Sequence, residues 1–107
     1  MDPKLTPEQN AKKMLAALWE RNLPVLQDRL AQLDAASEAA ATGKLTPLMR
    51  EDAASTAHKL AGSLGMFGYA RGTEFARKIE VLLNEPGDAD ALSLRELASS
   101  LRESVGL

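Results

Sequence analysis

Residues 57–68 read Ala57-His58-Lys59-Leu60-Ala61-Gly62-Ser63-Leu64-Gly65-Met66-Phe67-Gly68 and hold the only histidine of the 107-residue chain. The run leading into them, from Thr46 onward, has strong helix character. Ala53, Ala57, Leu60, Leu64 and Phe67 step by four, three, four and three, a heptad-like apolar seam. At about 100° per residue, His58 falls about 140° from the centre of that seam, on the solvent face. Gly62 shares its bearing one turn on, and Gly65 and Ala54 lie to either side. Helical side chains lean toward the N-terminus, so a side chain at position 62 would hang beside His58. Glycine leaves that ground bare, although Gly in a helix interior costs about 1 kcal/mol relative to Ala.

Outward from this stretch, the chain reads as helices throughout. Thr6-Pro7-Glu8 and Thr46-Pro47 both carry a helix start: a capping hydroxyl, then proline at the first helical position. Ala11, Met14, Leu15, Leu18 and Trp19 keep helical spacing, and Val25, Leu26, Leu30 and Leu33 begin a second series. Pro24 lies between them and lacks an N–H. The expectation is either two segments around Asn22–Pro24 or one long kinked helix, ended at Thr42-Gly43-Lys44. After the central helix, Gly65 and Gly68 loosen or end it. A further helix starts near Tyr69 or Ala70 and carries Phe75, Ala76, Ile79, Leu82 and Leu83, with Gly72 as a weak spot in its first turn. Asn84-Glu85-Pro86-Gly87-Asp88 is a turn by composition. A last helix from about Ala89 presents Leu92, Leu94, Leu97, Ala98, Leu101 and Val105, with a ragged end at Gly106-Leu107. Residues 1–5 read as a loose lead-in. Met66, Phe67 and Tyr69 read as core and loop closure, Trp19 as core or as a cap on the bundle, and Arg50-Glu51-Asp52 as an ordinary charged first turn.

The fold class expected is all-α, an antiparallel four-helix bundle in a single domain over residues 1–107. Hydrophobic residues at 45% and charged residues at 26% argue against disorder, and only 4% aromatics with abundant Ala and Leu argue against a sheet. A net charge of −2 with scattered signs argues against nucleic acid as partner. Without cysteine there is no thiol chemistry and no zinc finger. One histidine and no cysteine make a poor metal shell, so no metal site is expected. Neither a signal peptide nor a membrane span is legible, which gives the expectation of a cytoplasmic protein with no membrane partner. Ser55 and Ser63 lie near His58, but nothing suggests a triad or an oxyanion hole. Geometry alone leaves two readings of His58 open: an ordinary surface histidine with Gly62 as a packing compromise, or a site built for approach.

The ordered set Ala57-His58-Lys59-Leu60-Ala61-Gly62-Ser63, then Gly65 and Gly68, resembles the signature of histidine-containing phosphotransfer (HPt) domains. Gly65-Met66-Phe67-Gly68-Tyr69 is similar to a Gly-x-Phe-Gly-Phe run in phosphotransfer domains of chemotaxis-type histidine kinases. The motif match spans about residues 53–84. The resemblance implies a four-helix bundle with His58 in mid-helix on the exposed face, phosphorylated by a receiver domain or a kinase. It implies a phosphoryl carrier without turnover of its own, and no cofactor, because magnesium belongs to the partner receiver. Its partners would be a response-regulator receiver domain and a sensor or hybrid histidine kinase. Glu80 matches a carboxylate that hydrogen-bonds the inner imidazole nitrogen. The family's lysine three residues after the histidine is here Ala61, which leaves Lys59 and Arg77 as supporting cations. Ala54, Ala61, Gly62 and Gly65 are the expected docking surface. The alternatives are a degenerate bundle that binds a receiver or other partner without carrying phosphate, and a kinase substrate domain cut from a larger protein, since no ATP-binding segment is present.

Overall fold

The structure, a computed structural model, describes residues 3–107. The first two residues of the expected lead-in lie outside the described residues. Four helices follow one another: α1 (Pro7–Ala41), α2 (Pro47–Met66), α3 (Ala70–Asn84) and α4 (Ala91–Val105). Each packs against the two beside it in the ring α1–α2–α3–α4, with α2 and α3 the most intimate pair. This is the all-α four-helix bundle, and no strand occurs among the described residues. Leu26, Leu30 and Leu33 of α1 meet Leu60 and Leu64 of α2, Ile79 and Leu83 of α3 and Leu94 and Leu101 of α4 in one core. Among the described residues, no helix is long and apolar enough to cross a membrane.

The starts are set as their residues dictate. Thr6 accepts from the Gln9 N–H at 3.1 Å while Gln9 Oε1 accepts from the Thr6 N–H at 2.9 Å, a reciprocal capping box. Thr46 caps α2 through the Met49 N–H at 3.1 Å. Asp90 caps α4, accepting from the N–H groups of Leu92 at 3.1 Å and Ser93 at 3.2 Å. The last helix thus starts at Ala91, just after the expected position. Gly68, at φ 82°, reverses the chain after α2 in a conformation only glycine adopts without strain. There the Gly68 N–H donates to the Gly65 carbonyl at 3.2 Å and the Tyr69 N–H to the Leu64 carbonyl at 2.9 Å. The same pattern closes α4, with the Leu107 N–H on the Arg102 carbonyl at 2.9 Å, so the end read as ragged is a capped one.

Pro24 does not divide the first helix: α1 runs through it for 35 residues. An interior proline costs about 3 kcal/mol. Burial of Leu26, Leu30 and Leu33 on one side and the Trp19 contacts on the other hold both halves on the bundle. At ~1.5 Å per residue α1 is about 52 Å long, against about 30 Å for α2, and it accounts for the 57 Å long dimension of the molecule. Its first turns therefore run past the end of α2, where Met14, Leu15 and Leu18 stay exposed. Trp19 closes the end of the bundle, 5.2 Å between ring centroids from Phe67 and 4.7 Å from Tyr69. Phe67 and Tyr69 thus do close the loop, but Met66, expected in the core or the loop closure, is 64% exposed and takes no part in the aromatic cluster.

Gly72 is a requirement of close packing rather than a weak spot. A Cβ there would lie 2.9 Å from Val105 Cγ1 and 3.2 Å from both Leu64 Cδ1 and Ser104 Oγ. Gly72→Val is expected to lower the free energy of unfolding by about 1–3 kcal/mol through overpacking, read from the urea midpoint. A second expectation concerns acid. Hydrogen bonds from the Ser93 hydroxyl and from the Ser93 and Leu92 N–H groups favour the ionised Asp90 carboxylate and lower its pKa. Its contribution is therefore complete above the ordinary carboxylate range and fades as pH falls through the lowered folded value. The stability gap between wild type and Asp90→Asn should narrow in acid, as measured by urea midpoints across pH.

Candidate functional site

α2 and α3 approach closely because small residues line their contact. Ala57 and Ala76 are wholly buried between them, Gly72 admits Leu64, and Thr73 packs where Gly65 leaves room, 3.7 Å from where a Cβ would stand. On the outer edge of this contact His58 projects from α2 and Glu80 from α3. His58 Nδ1 lies 2.8 Å from Glu80 Oε2, with the side chains 76% and 26% exposed. An ionised carboxylate only accepts hydrogen bonds, so Nδ1 carries the proton and donates it. The neutral ring is thereby held in the tautomer whose lone pair is on Nε2. His58 lies away from the core, as its position on the helix predicts.

Nothing crowds the ring from its own helix. A Cβ at Gly62 would meet nothing within 4 Å, so no neighbouring helix requires glycine there. This removes packing against a neighbouring helix as the reason for Gly62. Gly62 and Gly65 are both exposed, and so is Lys59. Arg77 is exposed as well, one turn before Glu80, and lines the groove between α3 and α4. Among the described residues it makes no ion pair with His58 or Glu80.

The structure corrects the expected docking surface at two positions. Ala54 and Ala61 are 6% and 5% exposed and belong to the core. Because α1 and α3 both pack on α2, its buried arc is wider than the five-residue seam and takes in Ala54, Thr56 and Ala61. Ala61 thus belongs to the buried side of α2 and offers no cation beside His58.

Several contacts of the site's framework had no local signature. The Thr73 hydroxyl donates to the Tyr69 carbonyl at 2.9 Å and reaches the Ala61 carbonyl at 3.5 Å. Thr56 donates to Gln32 Oε1 at 2.8 Å, and Arg29 to Ser63 Oγ at 3.2 Å, joining α1 to α2. Arg50 spans from α2 to the end of α3. Their hydrogen-bonding side chains were the only hint, and the partners, apart from Tyr69, are 12 to 34 residues away.

Comparison with known proteins identifies the family. The family model described as Hpt domain matches residues 17–105. Protein RcaC of Microchaete diplosiphon is 35% identical over 82 residues, which cover 74% of this chain and 13% of the relative. The chain therefore spans about an eighth of that relative's length. No solved structure gives a significant match. With its lone histidine presented in mid-helix and a match over most of its length, the chain belongs to the Hpt domain family, the histidine phosphocarrier modules of phosphorelay signalling.

Proposed function

We propose that this protein carries a phosphoryl group on His58 Nε2 between a kinase or receiver domain and a further receiver domain. The observation that carries the proposal is the 2.8 Å bond from Nδ1 to Glu80 on a ring that is 76% exposed. In the transfer, Nε2 attacks the phosphorus of a receiver's aspartyl phosphate. The new nitrogen–phosphorus bond forms as the phosphorus–oxygen bond breaks, and the aspartate carboxylate leaves with the electron pair. No proton moves: Nδ1 keeps its hydrogen, and Glu80 stabilises the positive charge that develops on the ring. Transfer to the next receiver is the same step reversed. Phosphoryl transfer rests on positioning and charge stabilisation, and in this proposal the receiver supplies magnesium and the acidic cluster.

Gly62 and Gly65 give the incoming domain an unobstructed path along α2. Lys59 and Arg77 are the cations proposed to support the phosphoryl charge in place of the lysine that Ala61 replaces. Neither is held in an ion pair among the described residues. A cytoplasmic setting, with no turnover by the domain alone, belongs to the same proposal.

Incubation with a phosphorylated receiver should transfer acid-labile label to wild type and none to His58→Gln. Binding without label would replace the carrier by a binding module, and label obtained only from a kinase's ATP-binding domain would mark a kinase substrate domain. Gly62 separates access from packing. Gly62→Ala should raise stability by about 1 kcal/mol, because glycine is the poorer helix former and the Cβ meets nothing. Gly62→Leu should keep that stability yet slow transfer at least tenfold in a single-turnover assay.

A further inference from the structure

Arg50 sits in the first turn of α2, two turns before His58, yet its guanidinium serves another helix. Nε donates to the Leu83 carbonyl at 2.6 Å and Nη2 to the Glu85 carbonyl at 2.5 Å, while Nη1 donates to the carbonyl of Gly87. The three acceptors belong to the last turn of α3 and the turn after it. α3 has no basic residue of its own in that turn, so Arg50 supplies both the donors and the positive charge that a helix C-terminus lacks. A guanidinium fixes its donors in a planar fork, and three bonds made at once restrain both the position and the rotation of what they hold.

Among the described residues, three polar side-chain contacts join α2 to α3. They are Thr73 on the Ala61 carbonyl, His58 on Glu80, and Arg50 on Leu83. The functional pair lies between the other two. The Thr73 contact is long at 3.5 Å, so the firm polar tie is that of Arg50, whose partner Leu83 is three residues beyond Glu80. Small residues set how closely the two helices lie, whereas bonds to fixed carbonyls add a directional restraint on their axial register, and a 2.8 Å hydrogen bond is lost within about 1 Å of a slide.

We infer that Arg50 is a positioning residue: by locking the axial register of α3 against α2 it holds Glu80 on His58 Nδ1 and so sets which imidazole nitrogen is free to react. The effect on the ring stands on the geometry alone; the effect on transfer rests on the carrier reading.

The test is nitrogen NMR of the imidazole in the full chain, at a pH where the ring is neutral, for wild type, Arg50→Ala, Arg50→Lys and Glu80→Gln. Wild type should show a single tautomer protonated on Nδ1. In Arg50→Ala the two ring nitrogens should shift toward the mixed-tautomer values of Glu80→Gln, and phosphoryl acceptance should slow about 3–30-fold, within the range that a misplacement of up to 1 Å produces. Arg50→Lys, which keeps the charge but loses the fork, should recover only part of both. Leu101→Val, a core change in α4, controls for stability and should leave the ring nitrogens unmoved. Wild-type ring shifts in folded Arg50→Ala would overturn the inference, as would an equal shift in Leu101→Val. Should Arg50→Ala fail to fold, wild-type ring shifts in Arg50→Lys would overturn it instead. A tautomer change in a protein whose wild type takes no phosphate would sink the carrier reading and leave the inference standing.

Discussion

The constraint on which the site depends is the short distance between α2 and α3. An imidazole and a carboxylate on neighbouring helices meet at 2.8 Å only if the helix axes lie close. Ala57 and Ala76 at full burial, and Gly72 with Leu64 against it, make that approach possible. Larger side chains at these positions would enlarge the core and separate His58 from Glu80. The apolar interior and the polar exterior are thus one design: small residues inside set the spacing that the hydrogen bond outside requires. His58 keeps its ring in solvent because the core lies on the opposite side of the same helix.

Much of this was legible because it is local. The seam through Ala53, Ala57, Leu60, Leu64 and Phe67 named the buried side of α2, and the opposite bearing named His58 as exposed. The two Thr-Pro pairs and Gly43 marked the ends of helices. The less legible features involve partners distant in sequence. Pro24 left two segments or one long helix open, and the burial of Leu26, Leu30 and Leu33 after it with the Trp19 ring contacts before it decides for one helix. Ala54 and Ala61 read as edges of a surface, yet α2 is flanked by two helices and its buried arc is broad. Gly72 reads as a flaw until Val105, more than thirty residues on, is found where its Cβ would be. Arg50 reads as one charge in a charged turn until the bare carbonyl end of α3 is seen to need it. Glu80 could be matched to a role only through resemblance, because nothing in its own neighbourhood distinguishes it from Glu74, which pairs with Lys78 on the open face.

Electrostatics elsewhere in the bundle is of an ordinary kind. Arg102 with Asp34 and Arg95 with Glu38 join α4 to α1 across exposed ground, where such pairs contribute little. They lie on the side of α1 that carries α4, whereas His58 and Glu80 occupy the edge between α2 and α3. The ion pairs that join α4 to α1 and the edge that carries His58 are therefore on different flanks, and a receiver docking at His58, as proposed, would meet few fixed ion pairs that it would have to disrupt.

The length of α1 has a consequence for how the molecule comes apart. Its first turns extend beyond the end of α2, and the family match begins only at residue 17. Helical turns that bury few apolar side chains are marginal in water, and Met14, Leu15 and Leu18 are all exposed. Amides ahead of Trp19 will therefore trade hydrogen for deuterium through local fraying, long before the bundle opens. The aromatic stack of Trp19 on Phe67 and Tyr69 is the clasp at which that fraying halts. Two tiers of protection should run along a single continuous helix, divided by a ring contact rather than by its proline.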